Sequence, residues 1–200
     1  MTNLNKKRGT DFERDFCKRA NGIGFMNAER QPLSGAGPNP KWKSDATMSL
    51  LTPDKRELKF LVSCKRTMVK GQITFVVAWL TENEDFAKYM MKIPVLSFTM
   101  GGKPGQKRDF YIVIGRQDYI NITGNERDIV IVPMRFRGKK QLSFTKKKLD
   151  ACRYKNGQPK KIPVSSFWAN ERWYYVFRLE EFYDAIMVEY DEINLSNQWF

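Results

Sequence analysis

The sequence predicts an α/β domain with a mixed central β-sheet flanked by helices. Two observations carry that prediction. Apolar spacing alternates between the 3.6-residue helical repeat and short β-rich runs, in the order α-β-β-β-α-β-β over the first 120 or so residues. Two of the β-rich runs are also joined by a turn short enough to make them a hairpin. The chain has 200 residues, of which 42% are hydrophobic and 14% aromatic. That suits one domain with a substantial core, or a core with a small appendage.

The first helix is predicted over residues 8–21, where Phe12, Phe16 and Ala20 share a face. Thr10 stands at capping-box distance from Glu13, and Gly22 and Gly24 follow as stop signals. A short strand is expected around 25–30. Residues 31–43 hold Gly35, Gly37, Pro38 and Pro40 and read as an exposed loop. Residues 44–51 and 57–66 are predicted as strands joined by Thr52-Pro53-Asp54-Lys55-Arg56. If that turn centres near Asp54, cross-strand partners have numbers summing to about 108. Asp45 then faces Ser63, and Lys65 lies one step along the same strand face.

A second helix is predicted over 74–92, ending before Ile93-Pro94. The runs 95–100 and 110–114 are the next strands, separated by a Gly- and Lys-rich turn. Beyond residue 121 the pattern loosens. Arg135–Lys161 is basic but carries Phe136, Leu142, Phe144, Leu149 and Tyr154, so it does not read as a disordered tail. A strand is expected at 172–178 and an acidic helix at 179–190. Ile93–Phe98 also echoes Ile162–Phe167, each followed by an aromatic strand; duplication of a strand pair and chance similarity are both open.

The formal charge is +13 and is unevenly placed. Residues 1–70 carry 15 basic and 7 acidic side chains, and residues 135–161 carry 11 basic and one acidic, Asp150. Residues 71–134 balance at 7 against 7, and 162–200 carry 2 basic and 7 acidic. Two basic segments around a neutral middle suggest a polyanion-binding surface made from distant parts of the chain, and nucleic acid is the expected partner. No apolar run approaches the roughly 20 residues of a membrane span, and the N-terminus has no signal-peptide pattern. The expectation is a soluble, cytoplasmic protein.

The residue inventory narrows the chemistry. There is no histidine, and Cys17, Cys64 and Cys152 fit neither a disulfide framework nor a paired zinc spacing. Histidine general bases, Ser-His-Asp triads and most zinc hydrolase sites are therefore excluded. Hydrolysis by this chain must rest on carboxylates, lysine and a hard cation such as Mg²⁺ or Mn²⁺. An acid in the first helix (Glu13), an Asp opening a hairpin (Asp45) and a lysine ending its second strand (Lys65) are the parts that phosphodiester hydrolysis needs. Each also has a plain reading: a helix-cap acid, a strand end, a sheet-edge lysine. Trp42, inside Lys41-Trp42-Lys43, is the tryptophan placed to meet DNA.

Taken together, Arg8-Gly9-Thr10-Asp11-Phe12-Glu13-Arg14, Arg30, Ser34-Gly35, Ser44-Asp45-Ala46 and Ser63-Cys64-Lys65 resemble the archaeal-type Holliday junction resolvases. These belong to the PD-(D/E)xK nuclease superfamily, with similar proteins in phages and archaeal viruses. The match covers residues 8–66 in order and spacing, and about 110 residues in layout. The resemblance implies a restriction-endonuclease-like core over 1–120; residues 121–200 are expected as a basic C-terminal extension for DNA binding or dimerisation, packed on that core. It implies Asp45 and Glu13 as ligands of Mg²⁺ or Mn²⁺, with the Cys64 carbonyl in reach, and Lys65 as the catalytic lysine. Arg30 and Ser34 would sit beside the scissile phosphate. The expected partners are branched DNA and a second copy of the chain, since resolving a junction takes two symmetry-related cuts. Phosphate contacts are expected from Lys6, Lys7, Arg8, Arg30, Lys41, Lys43, Arg66, Lys139, Lys140, Lys146 and Lys147.

One position departs from the family. Where an acid normally precedes the lysine by two residues, this chain has Ser63. The acid has moved, with Glu82 the suggestive site between Trp79 and Phe86; or Glu13, Asp45 and water suffice; or cleavage is weakened or lost. Sequence alone leaves all three open.

Overall fold

The computed structural model describes residues 4–31, 44–66, 72–99, 109–124, 135–137, 141–145, 154–155, 158–159 and 165–197. The chain begins with α1 (Leu4–Ile23), β1 (Met26–Arg30), β2 (Ala46–Leu51) and β3 (Glu57–Arg66). Then come β4 (Gln72–Val76), α2 (Ala78–Tyr89), β5 (Ile93–Thr99), β6 (Phe110–Gly115) and α3 (Arg116–Thr123). Four short strands follow: β7 (Arg135–Arg137), β8 (Gln141–Thr145), β9 (Tyr154–Lys155) and β10 (Gln158–Pro159). The last elements are β11 (Ser165–Ala169), β12 (Arg172–Arg178) and α4 (Leu179–Asn197).

The centre is a seven-stranded sheet in the order β1-β2-β3-β5-β6-β12-β11. β3 and β5 run parallel, and the other neighbours are antiparallel. The fold class is thus the predicted one, an α/β domain on a mixed sheet. Successive side chains of a strand point to opposite faces, and the core divides accordingly. Phe60, Val62, Ile112, Ile114, Tyr175 and Phe177 face one layer with Phe12 and Phe16 of α1, Tyr119 of α3 and Phe182 of α4. Leu96, Phe98, Tyr111, Val113, Tyr174 and Val176 face the other, with Leu80 of α2. β5, β6 and β12 are buried on both faces, which is why their sequences read as nearly unbroken apolar runs.

Three expectations change. α1 starts at Leu4, so Thr10 lies inside the helix and forms no capping box with Glu13. The straight-chain residues Lys6, Lys7 and Arg8 carry helix back past Gly9. The helix ends at Gly24, whose φ of 132° and close approach to Tyr183 exclude a side chain. The helix predicted over 74–92 is a strand followed by a shorter helix. Ile73, Thr74, Phe75 and Val76 are β-branched or aromatic, and they pair with Gln141–Phe144 of β8 in a separate three-stranded sheet, β4-β8-β7.

The third change concerns the C-terminal region. The expected boundary near residue 121 falls between strands of one sheet. β12 pairs with β6, and Leu179, Phe182, Ala185 and Ile186 of α4 lie in the main core. Phe182 meets Phe25 at 6.2 Å and Phe60 at 5.8 Å between ring centroids. Arg19 Nε also donates to Glu180 Oε1 at 2.7 Å, tying α1 to α4. Residues 165–197 are therefore built into the layers that 4–123 begin. The sequence echo falls on β5 and β11, and the strand order β5-β6-β12-β11 places the two strand pairs back to back, each pair followed by a helix. No helix among the described residues is long and apolar enough to cross a membrane.

Candidate active site

The site grows from the β2–β3 hairpin. Ala46 pairs with Val62 and Thr47 with Leu61, the register that the turn length predicts. Asp45, one residue before β2, consequently stands against Ser63. Its Oδ2 accepts the Cys64 amide N–H at 2.6 Å and the Ser63 hydroxyl at 3.3 Å. Lys65 Nζ lies 3.5 Å from the same oxygen. The Asp45 main-chain carbonyl accepts the Gln31 N–H at 3.0 Å, so the residue is held from both neighbouring strands. Behind it, the buried Ser44 hydroxyl donates to the Ala46 carbonyl at 2.7 Å.

Lys65, the last residue but one of β3, lies on the face opposite Val62 and Cys64, turned toward α2. Its ammonium sits over the Trp79 ring, 5.5 Å from the centroid, an arrangement in which the ring's negative face favours the cation. Cys64 points the other way, into the core with Phe60 and Val62. Burial holds the Cys64 thiol well above its ordinary range and pushes Cys17 up to about 11, so neither is a thiolate ligand.

Glu13 approaches from α1. Its Oε2 accepts a hydrogen bond from Arg30 Nε, and its side chain is only 12% exposed. Burial raises its carboxyl above the ordinary 4.5, and the negative charge of Asp45 adds to the rise. The Arg30 hydrogen bond and the positive charges of Arg30 and Lys65 pull the other way. That coupling places Glu13, Arg30, Asp45 and Lys65 in one electrostatic neighbourhood at the end of the sheet. Arg30, expected to meet the DNA backbone, is here the partner of Glu13.

The chemistry of a divalent cation fits this donor set in outline. Mg²⁺ is usually held by one or two carboxylates with several waters retained, and Glu13 and Asp45 provide two. The bonds to Asp45 all converge on Oδ2, leaving Oδ1 with no hydrogen-bond partner among the described residues. Among the described residues no three acid or thiol side chains group as a ready metal cage.

An open cleft of about 600 Å³ adjoins Lys65, lined by Ser63, Lys65, Trp79, Glu82, Asn83, Asp85 and Phe86. Glu82 therefore shares a cavity with Ser63 and Lys65. Its neighbours Asn83, Asp85 and the cation-holding role of Trp79 were missed in the sequence. The spacing 79, 83, 86 was the available signal, since it puts three side chains on one helix face. Asn83 is buried and donates to the Val95 carbonyl at 3.1 Å, anchoring α2 to β5. Glu84 fastens the same helix to β12, accepting from Tyr174 Oη at 2.7 Å and Arg172 Nη1 at 3.0 Å.

Other expected site residues fall elsewhere. Lys6, Lys7 and Arg8 lie in the first turns of α1 and Arg66 ends β3, with their side chains outside the described set. Ser34, Lys41, Trp42, Lys43, Lys139, Lys140, Lys146 and Lys147 lie outside the described residues.

No family model matches the sequence. No curated protein matches it either. Among solved structures, the chain is similar to Hjc of Archaeoglobus fulgidus, a Holliday junction resolvase from an archaeal hyperthermophile, with a TM-score of 0.43 and 16% identity. The similarity covers 70% of this chain and 89% of that one.

Proposed function

We propose that this chain is a metal-dependent endonuclease that cuts branched DNA, four-way junctions above all, and works as a homodimer. The observation that carries the reading is the convergence of Cys64 N–H, Ser63 and Lys65 on Asp45 Oδ2, with Glu13 in the same electrostatic neighbourhood. The motif resemblance over residues 8–66 supports the same assignment.

Glu13 and Asp45 would hold Mg²⁺ or Mn²⁺, with the Cys64 carbonyl as a further oxygen. When bound, such a cation polarises a phosphoryl oxygen and lowers the pKa of a coordinated water. The protein's own groups do the positioning. The Cys64 amide and Ser63 hydroxyl fix the Asp45 carboxylate. The Trp79 ring holds the Lys65 ammonium beside the cleft, where it can offset negative charge growing on the phosphate. Ser63 itself offers only a hydroxyl, so the oxygen the family draws from an acid there would come from water or from Glu82. The basic residues of 1–70 and 135–161 would grip the phosphate backbone.

A second reading has one specific observation behind it. Where the family resemblance calls for an acid two residues before the lysine, this chain has Ser63, whose hydroxyl donates to Asp45 Oδ2 at 3.3 Å. A junction-binding protein that has lost cleavage would look like this. Labelled four-way junction, duplex and flap DNA, incubated with Mg²⁺ or Mn²⁺, separate the two. Paired symmetric nicks that vanish in Asp45→Asn are the result expected of the nuclease. Tight junction binding without cleavage in either metal leaves the binding protein. Loss of cleavage in Glu82→Gln, with binding kept, would place the displaced acid on α2.

A further inference from the structure

We infer that the cleft beside Lys65 receives an unpaired nucleobase, stacked against Phe86 and hydrogen-bonded through the carboxylates of Asp85 and Glu82. The inference rests on the nucleic-acid reading above and gives that site a selectivity for DNA with extrahelical or splayed nucleotides.

The lining argues for a base rather than a phosphate. The chain as a whole carries +13, yet this cleft sets one cation, Lys65, against two carboxylates, Glu82 and Asp85. A pocket with that balance disfavours a second phosphate. It suits the N–H donors on a base edge, the pairing by which Asp and Glu accept from the cytosine amino group. The walls have the matching shape. Trp79 lines the cleft with the Lys65 ammonium 5.5 Å from its ring centroid. Phe86 lines the cleft as well, and its ring stacks on that of Tyr89 at 6.4 Å and 23°. Base–aromatic stacking tolerates any base, and an extruded base is read by such stacking together with hydrogen bonds to its edge.

Size and place agree. A volume of about 600 Å³ lies within the ~300–1,000 Å³ of small-molecule pockets. Because Lys65 belongs both to the cleft and to the Asp45 cluster, a phosphate held at Lys65 would present its own nucleotide's base to the cleft. An unpaired base is available at a bulge, a flap or an opened branch point and absent from intact duplex. The carboxylates further favour amino-bearing cytosine over thymine.

The test is equilibrium binding to short labelled DNAs in EDTA, where no cleavage intervenes. The probes are a plain duplex and the same duplex with one extrahelical cytosine, thymine or abasic nucleotide. The wild-type chain is expected to bind the cytosine bulge at least tenfold more tightly than the abasic bulge, with thymine between. Phe86→Ala should reduce that preference to below twofold. Phe86→Leu, which keeps an apolar side chain but removes the π face, should do the same if the alanine variant folds poorly. Asp85→Asn should erase the cytosine–thymine difference. Equal affinity for cytosine and abasic bulges in wild type overturns the inference. A preference that survives Phe86→Leu and Asp85→Asn overturns the assigned site. Junction cleavage without base discrimination sinks this inference alone, whereas base discrimination without cleavage leaves it standing and sinks the nuclease.

Discussion

The amide of Cys64 donates to Asp45 Oδ2 at 2.6 Å. The central acid of the candidate site is therefore held by the backbone of β3, an interior strand, as well as by the Ser63 and Lys65 side chains. Removing the carboxylate leaves a buried N–H without a partner, which costs about 1–3 kcal/mol. Asp45→Ala is expected to be destabilised by that amount, and Asp45→Asn by less, because its side-chain oxygen can still accept. Chemical denaturation of the three proteins checks the order.

Glu13 makes a prediction about pH. Burial raises its carboxyl above 4.5 by more than the Arg30 hydrogen bond lowers it. In the range just above that value the folded chain therefore binds more protons than the unfolded chain. Stability contributed by this group is present at low pH and falls as pH rises through the window. Glu13→Gln has no such titration. The melting-temperature difference, wild type minus variant, should shrink as pH rises from 4.5 toward neutrality. A difference that stays flat with pH would show that the folded site does not shift this carboxyl.

Phe182 tests how far the C-terminal region belongs to the core. The side chain is fully buried, 0% exposed, and packs between Phe25, Phe60 and Phe177. Phe182→Ala should cost about 3–5 kcal/mol and lower the single unfolding transition of the whole domain. Loss of α4 alone, with the rest still folded, is the contrary outcome.

Salt dependence reports the phosphate contacts. Each phosphate neutralised contributes about 0.9 to the slope of log affinity against log salt. Lys139→Ala with Lys140→Ala is expected to flatten that slope by about 2 and to weaken duplex and junction alike. An unchanged slope would place both lysines away from the DNA backbone.

Much of this site was legible before any coordinates. The five-residue turn after Leu51 set the hairpin register, and strand periodicity then put Asp45, Ser63 and Lys65 on one face. The spacing of Phe12, Phe16 and Ala20 located the buried face of α1. These features are local, so short-range geometry suffices to read them. The helix expected over 74–92 misled because Ile73–Val76 takes its structure from β8, about 70 residues away in sequence.

The three residues proposed to carry the chemistry, Glu13, Asp45 and Lys65, follow from the sequence alone, as does the gap at Ser63. Their surroundings do not. That Arg30 holds Glu13, that Trp79 holds Lys65, and that α2 opens a cleft with Glu82 and Asp85 beside Ser63 are contacts between elements far apart in the chain. So is the placement of β12 between β6 and β11, which builds residues 165–178 into the central sheet. Periodicity tells each segment which face to bury. Which segment it is buried against depends on long-range packing, and only the tertiary structure decides that.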